Sequence, residues 1–365
     1  TGVYRALTFL VISCPCALVI SIPLSFFAGI GGASHEGVLV KGSNYLETMA
    51  QTKYVVFDKT GTLTKAKPIV KEVIVFGDYP EPEALRIAAC LEEHFPHSMA
   101  KAVVDAAKRR SLYHEEMHSK VEYIVAHGIS SYIEGKKTVI GSSHFVFEDE
   151  KCRIRPEYQE RFDTLPGEYS HLFLAIDGEL VAVICIEDPL REEAGEMVRL
   201  LKEEGISKIV MMTGDSERTA VSIAKRVGVD EYYSEVLPED KADFIEREKA
   251  AGRKVVMIGD GINDSPALSA ADAGIAISDG AELAREIADI TIAAEDLREI
   301  VVLKRLSNAM MHRIQGNYRG IVGINAMLIA LGVAGIIQPT TSALLHNTST
   351  LAISLKSMGN LLPTN

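Results

Sequence analysis

Asp58 is the first residue in this sequence whose surroundings suggest chemistry. It opens the string DKTGTLT directly after the apolar run 55–57. A carboxylate at such a place can attack a phosphoryl group and form an aspartyl-phosphate. Thr60 adds a hydroxyl and Gly61 adds a backbone N–H for the phosphate oxygens. Because phosphoryl transfer depends mainly on positioning and charge neutralisation, this turn predicts a phosphorylation site.

Two further polar turns follow apolar runs, TGD at 213–215 and GDGIND at 259–264. Asp260 suits Mg²⁺, which takes one or two carboxylates together with phosphate oxygens and water. Thr213 offers a hydroxyl to a phosphate, and Lys241 offers a cation against the developing charge. Each turn alone is weak evidence. The three together, each behind an apolar run, are a highly specific indication of a phosphoryl-transfer site.

The elements that must position these turns follow from the apolar runs themselves. Four runs are bounded by helical patterns, which predicts a parallel sheet buried on both faces; they are 55–57, 209–212, 255–258 and 274–277. Functional groups of such sheets gather at the carboxyl ends of the strands. The stretch from about 70 to 182 has a helical segment followed by glycine-punctuated hairpins. It therefore predicts an inserted second domain.

Both ends of the chain have the composition of membrane segments. Residues 6–34 contain no ionisable side chain other than cysteine, and residues 320–355 contain no Asp, Glu, Lys or Arg. About 20 apolar residues cross a bilayer as a helix, so the first stretch predicts one span. Pro339 divides the second into two predicted helices, about 318–337 and 340–358. Four preceding basic residues favour a cytoplasmic flank: Lys304, Arg305, Arg313 and Arg319. A buried hairpin of a soluble protein is the alternative.

Composition excludes some classes and favours others. The net charge of −12 argues against nucleic-acid binding. Five cysteines without a framework do not resemble a disulfide scaffold, so a reducing, cytoplasm-facing environment is expected. The chain opens on Thr1 without a methionine or a signal peptide, which suggests a piece of a longer protein.

Cys14-Pro15-Cys16 lies inside the first apolar stretch. Proline interrupts helical hydrogen bonding, which a membrane tolerates only beside protein or a cavity. Two flanking thiolates form a soft donor pair that favours copper(I), zinc and similar ions. The alternative is a pair of small apolar side chains in a helix.

Together, DKTGTLT, TGD and GDGIND resemble the motifs of P-type ATPases within the haloacid-dehalogenase-like fold. The Cys-Pro-Cys upstream resembles the heavy-metal-translocating (type IB) branch. The resemblance implies an α/β fold: a Rossmannoid phosphorylation domain with an inserted α+β nucleotide-binding domain, flanked by transmembrane helices. The implied parts are a transmembrane helix and stalk (1–40), a phosphorylation domain (41–69 and 185–305), a nucleotide-binding domain (70–184) and two transmembrane helices (306–365).

The resemblance also implies an ATP-hydrolysing translocase that moves zinc/cadmium or copper(I) through a phosphoenzyme on Asp58. Mg²⁺ would be held by Asp58, the Thr60 carbonyl and Asp260. The implied catalytic residues are Asp58, Lys59, Thr60, Thr213, Gly214, Asp215, Lys241, Asn263 and Asp264. The alternative is a membrane-attached soluble-type phosphatase of the same fold. Such phosphatases usually carry a second Asp where this chain has Thr60. A degenerate binding module is weaker, because no phosphate-site residue is missing.

In the inserted segment, Glu92 and His97 match a Glu and His that lie near adenine in this branch, although Ser98 replaces the usual proline. Gly128 carries over from a Gly-x-Gly that admits the nucleotide, while Ala126 takes the place of its first glycine. The resemblance thus implies ATP and Mg²⁺ as cofactors. The two departures bear on nucleotide affinity.

The last two predicted spans carry no carboxylate, and their most unusual pair is His346-Asn347. A histidine in lipid usually has a partner or a task. We therefore predict that both residues coordinate or gate the transported ion; an interfacial histidine in a turn is the alternative. Zinc and cadmium pumps often carry an Asp here and copper pumps a Tyr-Asn pair. This chain has no such Asp, and its Asn317-Tyr318 has the reverse order of the copper-pump pair. The sequence therefore does not favour either copper(I) or zinc/cadmium as the transported ion.

The sequence contains no Thr-Gly-Glu, the actuator-loop motif of this family. The resemblance therefore implies an actuator domain and earlier transmembrane helices of the same pump as partners. It further implies surrounding lipid, a metallochaperone as a candidate partner, and no nucleic acid. The expected place is the bacterial plasma membrane, with the catalytic domains in the cytoplasm and export as the direction.

Overall fold

The computed structural model describes residues 2–12, 14–65, 67–93, 98–112, 122–124, 128–261, 264–277, 286–293 and 296–362. The helices of this part are α1 Gly2–Ile12, α2 Cys16–His35, α3 Ser43–Gln51, α4 Glu81–Glu92, α5 Ser98–Arg109, α6 Gln159–Asp163, α7 Ala194–Glu203, α8 Glu217–Val227, α9 Pro238–Ala250, α10 Ser265–Ala270, α11 Arg298–Val333 and α12 Pro339–Met358. The strands are β1 Val38–Val40, β2 Tyr54–Asp58, β3 Ile69–Val75, β4 Glu122–Ile124, β5 Gly128–Ile133, β6 Lys136–Gly141, β7 Ser170–Ile176, β8 Glu179–Glu187, β9 Lys208–Met212, β10 Glu231–Tyr233, β11 Val255–Gly259, β12 Ala273–Ile277 and β13 Ile290–Ile292.

The first sheet has seven strands in the order β1-β13-β12-β11-β2-β9-β10. All neighbours run parallel except β1, which pairs antiparallel with β13. The four apolar runs predicted as strands are β2, β9, β11 and β12, so the prediction of a parallel sheet is confirmed. In β2, Val55 and Phe57 pack towards α7, α8 and α11, while Val56 packs towards α9 and α10. Both faces are covered, which explains the unbroken apolar runs.

The second sheet is antiparallel, with six strands in the order β3-β8-β7-β6-β5-β4. Helices α4 and α5 pack on one face. The other face carries an aromatic cluster in which Phe147 lies edge-on to Phe162 and Phe173. The chain enters this sheet at Ile69 and leaves it at Glu187, which are paired residues. The domain boundaries at 70 and 184 stay predictions.

The first apolar stretch is two helices, and the predicted single span corresponds to the second of them, α2. Helix α1 ends at Ile12 and α2 begins at Cys16. Pro15 stands at the amino-terminal cap of α2, where its carbonyl accepts hydrogen bonds from Leu18 and Val19. Proline is tolerated at a helix start, because the backbone N–H it lacks would have no partner there. Within the described residues, α2 alone is long and apolar enough to cross a membrane.

Helix α11 begins about twenty residues before the predicted start at 318, so that boundary is wrong. No proline interrupts the chain between Arg298 and Val333, and Ile300 and Leu303 pack into the core of the first sheet. One helix therefore runs from this core into the apolar tail. It ends before Pro339, where α12 begins, as predicted.

Lys304 of α11 is buried against the end of α3. Its ammonium donates to the carbonyl oxygens of Met49 and Ala50, each at 2.8 Å, and of Thr52 at 3.3 Å. The last carbonyls of a helix have no partner within the helix, so Lys304 satisfies them. Burial lowers the pKa of Lys304 to about 8, which leaves the amine mostly protonated at pH 7. Lys304 thus ties α11 to the segment that leads into β2.

Replacing Lys304 by Met leaves these buried carbonyls without a donor. We expect Lys304→Met to lower the free energy of unfolding by about 1–3 kcal/mol, measured by chemical unfolding in detergent. Arg305→Met is the matched control, because Arg305 pairs with Glu204 near the surface (2.6 Å) and such pairs contribute about 0–1 kcal/mol. Equal destabilisation by both variants would contradict the capping role.

Candidate active site

The carboxyl ends of three adjacent strands form one edge of the first sheet. Strand β2 lies between β11 and β9, with Asp58 in register with Met212. Asp58 ends β2, the TGD turn follows β9, and Asp260 follows β11. The predicted gathering of these three turns at one edge agrees with the structure.

Lys241 links two carboxylates at this edge. Its Nζ lies 2.6 Å from Asp58 Oδ1 and 2.7 Å from Asp264 Oδ1. Lys241 comes from the first turn of α9, and Asp264 immediately precedes α10. All three side chains are buried. The predicted site residues Asp58, Lys241 and Asp264 therefore meet in one cluster.

Burial and charge shift the pKa values of this cluster. Burial raises the pKa of Asp58 to about 6, an effect reduced by Lys241 and reinforced by the negative charge of Asp264. Burial likewise raises the pKa of Asp264. For Lys241, burial would lower the pKa, but the two carboxylates outweigh it and raise the pKa. One cation thus serves two buried carboxylates, and the cluster is short of positive charge.

The turn after Asp58 folds back onto Asp260. Gly61 has a φ of +75°, and a Cβ at this residue would lie 3.0 Å from the Asp260 Cβ. A side chain here would meet both backbone strain and Asp260, so glycine is required. The close approach brings the predicted Mg²⁺ ligands Asp58, Thr60 and Asp260 to one place.

The donor set fits Mg²⁺. The donor atoms are oxygens, the two buried carboxylates Asp58 and Asp264 share one cation, and the buried Oδ2 of Asp264 has no hydrogen-bond partner among the described residues. In that part of the chain, no group of three or more His, Cys, Asp or Glu side chains could hold a metal ion. Mg²⁺ needs only one or two carboxylates when phosphate and water supply the remaining ligands.

A second buried ion pair lies beside the first cluster. Lys59 Nζ is 2.6 Å from Asp215 Oδ2, and the Thr213 hydroxyl donates to the same oxygen at 2.9 Å. Burial would lower the pKa of Lys59, but the Asp215 charge outweighs it and the pKa is raised. For Asp215, burial would raise the pKa, but Lys59 outweighs it and the pKa is lowered. The Thr213 hydroxyl contacts Asp215 because a buried carboxylate needs donors. That Thr213 and Gly214 donate to a phosphate stays a prediction.

Two residues near this pair were missed by sequence reasoning. The Ser170 hydroxyl donates to Asp215 Oδ1 at 2.7 Å, and Asp188 accepts a hydrogen bond from the Thr64 hydroxyl. Asp188 is a charged residue that directly follows the apolar run 180–186 and Glu187, so its charge was a usable signal. Ser170 has no local motif, and only folding brings it to Asp215.

The predicted nucleotide residues are partly described. Glu92 is buried at the end of α4, the helix that packs on the second sheet. A Cβ at Gly128 would lie 2.2 Å from Phe145 Cδ1 and 2.6 Å from the Ile140 carbonyl oxygen. Close packing thus requires this glycine, whatever its role towards nucleotide. His97, Ala126 and the phosphate-site residue Asn263 lie outside the described residues.

Cys14 and Cys16 are joined by a disulfide, with their Cα atoms 5.4 Å apart. The expectation of two free thiolates is therefore not met in this structure. The reason is proximity, because the break between α1 and α2 leaves both sulfurs on the same short turn. A disulfide sulfur is not a thiolate, so the reduced pair is the form that could bind a soft metal ion.

His346 is buried in α12 and faces α11. Its Nδ1 lies 3.1 Å from Asn325 Oδ1, and its Nε2 has no hydrogen-bond partner among the described residues. Because an amide oxygen only accepts, Nδ1 carries the proton and Nε2 keeps its lone pair. Asn347 is exposed, since consecutive helical residues point about 100° apart. The two side chains thus face different surroundings, and that both coordinate or gate the transported ion stays a prediction.

Comparisons with known proteins agree with this geometry. A family model described as haloacid dehalogenase-like hydrolase matches residues 52–272. The zinc-exporting P-type ATPase of Mycobacterium marinum is 37% identical over 354 residues, covering 96% of this chain and 48% of the relative. The cadmium, zinc and cobalt-transporting ATPase of Bacillus subtilis is 40% identical over 338 residues, covering 92% and 47%.

Solved structures give the same result. A zinc-transporting PIB-type ATPase in the E2.Pi state matches with a TM-score of 0.71 and 30% identity, covering 98% of this chain and 58% of that chain. The catalytic domain of the CPx-ATPase CopB-B matches with a TM-score of 0.60 and 30% identity, covering 76% and 98%.

The parallel sheet, the aspartate at its edge and the matched model define a haloacid dehalogenase-like hydrolase. Within that class, the chain belongs to the heavy-metal P-type ATPases. It spans about half the length of the curated relatives it matches.

Removing the cation between the two carboxylates tests the cluster. We expect Lys241→Met to slow phosphorylation of the pump by ATP about 100-fold or more, because the transferred phosphoryl group loses a preorganised positive charge. The measurement is incorporation of labelled phosphate into acid-precipitated protein. Lys249→Met, on the same helix but bonded to the Ala270 carbonyl, should stay near the wild-type rate. A comparable rate in both variants would refute the role of Lys241.

Proposed function

We propose that the whole pump couples ATP hydrolysis to export of a transition-metal ion through an aspartyl-phosphate on Asp58. The observation that carries this proposal is the buried contact of Asp58 with Lys241 at the end of β2. The carboxylate has one oxygen held by a cation, which leaves the other to act as a nucleophile. The relatives named as zinc-exporting and cadmium-transporting ATPases support the transport function.

In the proposed reaction, an oxygen of Asp58 attacks the terminal phosphorus of ATP. A new O–P bond forms, the bond to the bridging oxygen breaks, and ADP leaves with that electron pair. Lys241 balances the charge on the transferred group. Mg²⁺, when bound by Asp58, Thr60 and Asp260, would supply further charge neutralisation. Thr60 stands where phosphatases of this fold usually carry an acid-base Asp, and a hydroxyl is a poor proton donor or acceptor at neutral pH. Thr60 would therefore not speed hydrolysis of the phosphoenzyme, whose energy would stay available for transport.

The transported ion is proposed to be divalent. Relatives are named for zinc, cadmium, cobalt and manganese, which favours zinc or cadmium over copper(I) and brings manganese into consideration. The reduced thiolates of Cys14 and Cys16 would act as soft donors. His346 would supply its Nε2 as an imidazole donor, with Asn325 holding the other ring nitrogen.

The same relatives support a proposed setting for the pump. We place the pump in a bacterial plasma membrane, with α2 and the ends of α11 and α12 in lipid and both sheets in the cytoplasm. The hydroxyls of Ser21 and Ser342 are buried and have no hydrogen-bond partner within the described part of the chain, which suits helices that face protein rather than lipid. A metallochaperone that delivers the ion to the cytoplasmic side is a further proposed partner.

Phosphorylation of Asp58 is tested directly. With ATP and Mg²⁺, the protein should form an acid-stable phosphoenzyme that hydroxylamine cleaves, because an acyl phosphate is attacked by this nucleophile. Asp58→Asn should abolish the label. Asp243→Asn, an exposed aspartate on α9, should keep it. Label remaining on Asp58→Asn would overturn the assignment.

His346 is tested through the metal dependence of ATP hydrolysis. In the intact pump, His346→Ala should raise the metal concentration needed for half-maximal stimulation by at least about 10-fold. A panel of zinc, cadmium, cobalt, manganese and copper(I) would show which ion is affected. His312→Ala changes an exposed histidine of α11 and should have no effect. Unchanged stimulation and selectivity in His346→Ala would eliminate the proposed ligand.

A further inference from the structure

The two sheets are joined by two chain crossings that lie side by side. Ile69 at the start of β3 pairs with Glu187 at the end of β8, and Thr64 bridges Leu190 just outside the second sheet. Two adjacent crossings form a hinge, and a hinge alone leaves the angle between the sheets free. A contact away from the crossings is needed to set that angle.

Ser170 provides such a contact. It is the first residue of β7, in register with Ile186 of β8, and its side chain is 6% exposed. Its hydroxyl donates to Asp215 Oδ1 at 2.7 Å and lies 3.4 Å from Lys59 Nζ. A side chain of the second sheet thus contacts the Lys59–Asp215 ion pair, and Lys59 belongs to the turn 58–64 that begins with Asp58.

The segment before Ser170 is held by α8, the helix that follows the TGD turn. The guanidinium of Arg218 donates to the carbonyl oxygens of Asp163 (2.7 Å) and Leu165 (2.9 Å). The hydroxyl of Thr219 donates to the carbonyl oxygen of Tyr169 at 2.7 Å. Both donors lie in the first turn of α8, immediately after the TGD turn. The TGD turn therefore holds Ser170, and the first turn of α8 holds the segment that leads to it.

These contacts form a continuous path to the nucleophile. Ser170 bonds Asp215, Asp215 pairs with Lys59, and Lys59 is the chain neighbour of Asp58. Asp215 keeps its bonds from Lys59 and Thr213 when the serine hydroxyl is removed, so the ion pair can survive such a change. What is lost is the contact between the Ser170 hydroxyl and Asp215, while the contacts of Arg218 and Thr219 remain.

We propose that Ser170 is a positioning residue that sets the angle of the nucleotide-binding sheet, so that the terminal phosphoryl group of bound ATP reaches Asp58. This inference rests on the proposed function and deepens it. Ser170 touches neither the nucleotide nor the reacting atoms. Phosphoryl transfer is sensitive to placement, and a misplacement of about 1 Å can cost about 100-fold in rate.

The test compares two phosphoryl donors in the whole pump. ATP must be carried to Asp58 by the second sheet, whereas acetyl phosphate is a small donor that the sheet does not hold. We expect Ser170→Ala to slow phosphorylation by ATP about 10-fold and to leave phosphorylation by acetyl phosphate unchanged. Ser170→Thr keeps a hydroxyl and should restore the rate with ATP.

Two more variants complete the test. Thr219→Val removes the neighbouring contact to Tyr169 and should reproduce the selective loss with ATP. Thr138→Val removes a buried hydroxyl of the adjacent strand β6 that bonds only its own strand, at the Lys136 carbonyl, and should behave as wild type.

The outcomes separate this inference from the proposed function. An equal loss with both donors would place the effect at the acceptor site and overturn the positioning role, as would no loss with either donor. A wild-type pump that neither donor labels would instead overturn the proposed function itself. Thermal unfolding of each variant checks that Ser170→Ala is folded, and Thr219→Val gives the same donor comparison if it is not.

Discussion

The contact of Lys241 with Asp58 and Asp264 is the interaction on which the rest of this site depends. Two buried carboxylates cannot both stay charged without a cation, because removal from water penalises each charge and the two repel each other. Lys241 relieves both effects, yet burial still raises the pKa of Asp58 to about 6. The result is a carboxylate that stays ionised at neutral pH, as the proposed nucleophile requires, while the site keeps an excess of negative charge. That excess is what a Mg²⁺ ion bound with nucleotide would neutralise.

A second ion pair makes this arrangement rigid. Lys59 of the turn 58–64 pairs with Asp215 of the TGD turn. Removal of one partner of such a buried pair typically lowers the free energy of unfolding by about 3–5 kcal/mol. The pair anchors the turn to β9 on one side and, through Ser170, to the second sheet on the other. Lys304 connects the opposite end of β2 to α11, by way of α3. Strand β2 is therefore held at its carboxyl end by contacts that lead to the second sheet. At its amino end it is held, through α3, by α11, the helix that continues into the apolar tail.

The fold was predictable to the extent that local pattern decides it. The strands β2, β9, β11 and β12 were readable because burial on both faces demands unbroken apolar runs. The end of α11 was readable because Pro339 cannot continue a helix. The start of α11 was not, since the amphipathic residues 298–310 and the apolar residues that follow form one helix without a local break. In the Cys-Pro-Cys segment, Pro15 was expected to interrupt a helix, but it lies at the start of a new helix, α2.

For the site, the sequence by itself determined which residue types stand at the ends of the strands, since each motif is contiguous and follows its own apolar run. Asp58 and Asp260 could be named for that reason. Only the tertiary structure decided how these groups pair. It directs Lys59 and Thr213 to Asp215, brings Ser170 from another sheet, and turns His346 inward while Asn347 faces out. The physical reason is that buried charges and polar groups take whichever partners lie within about 3 Å, and those partners come from distant parts of the chain.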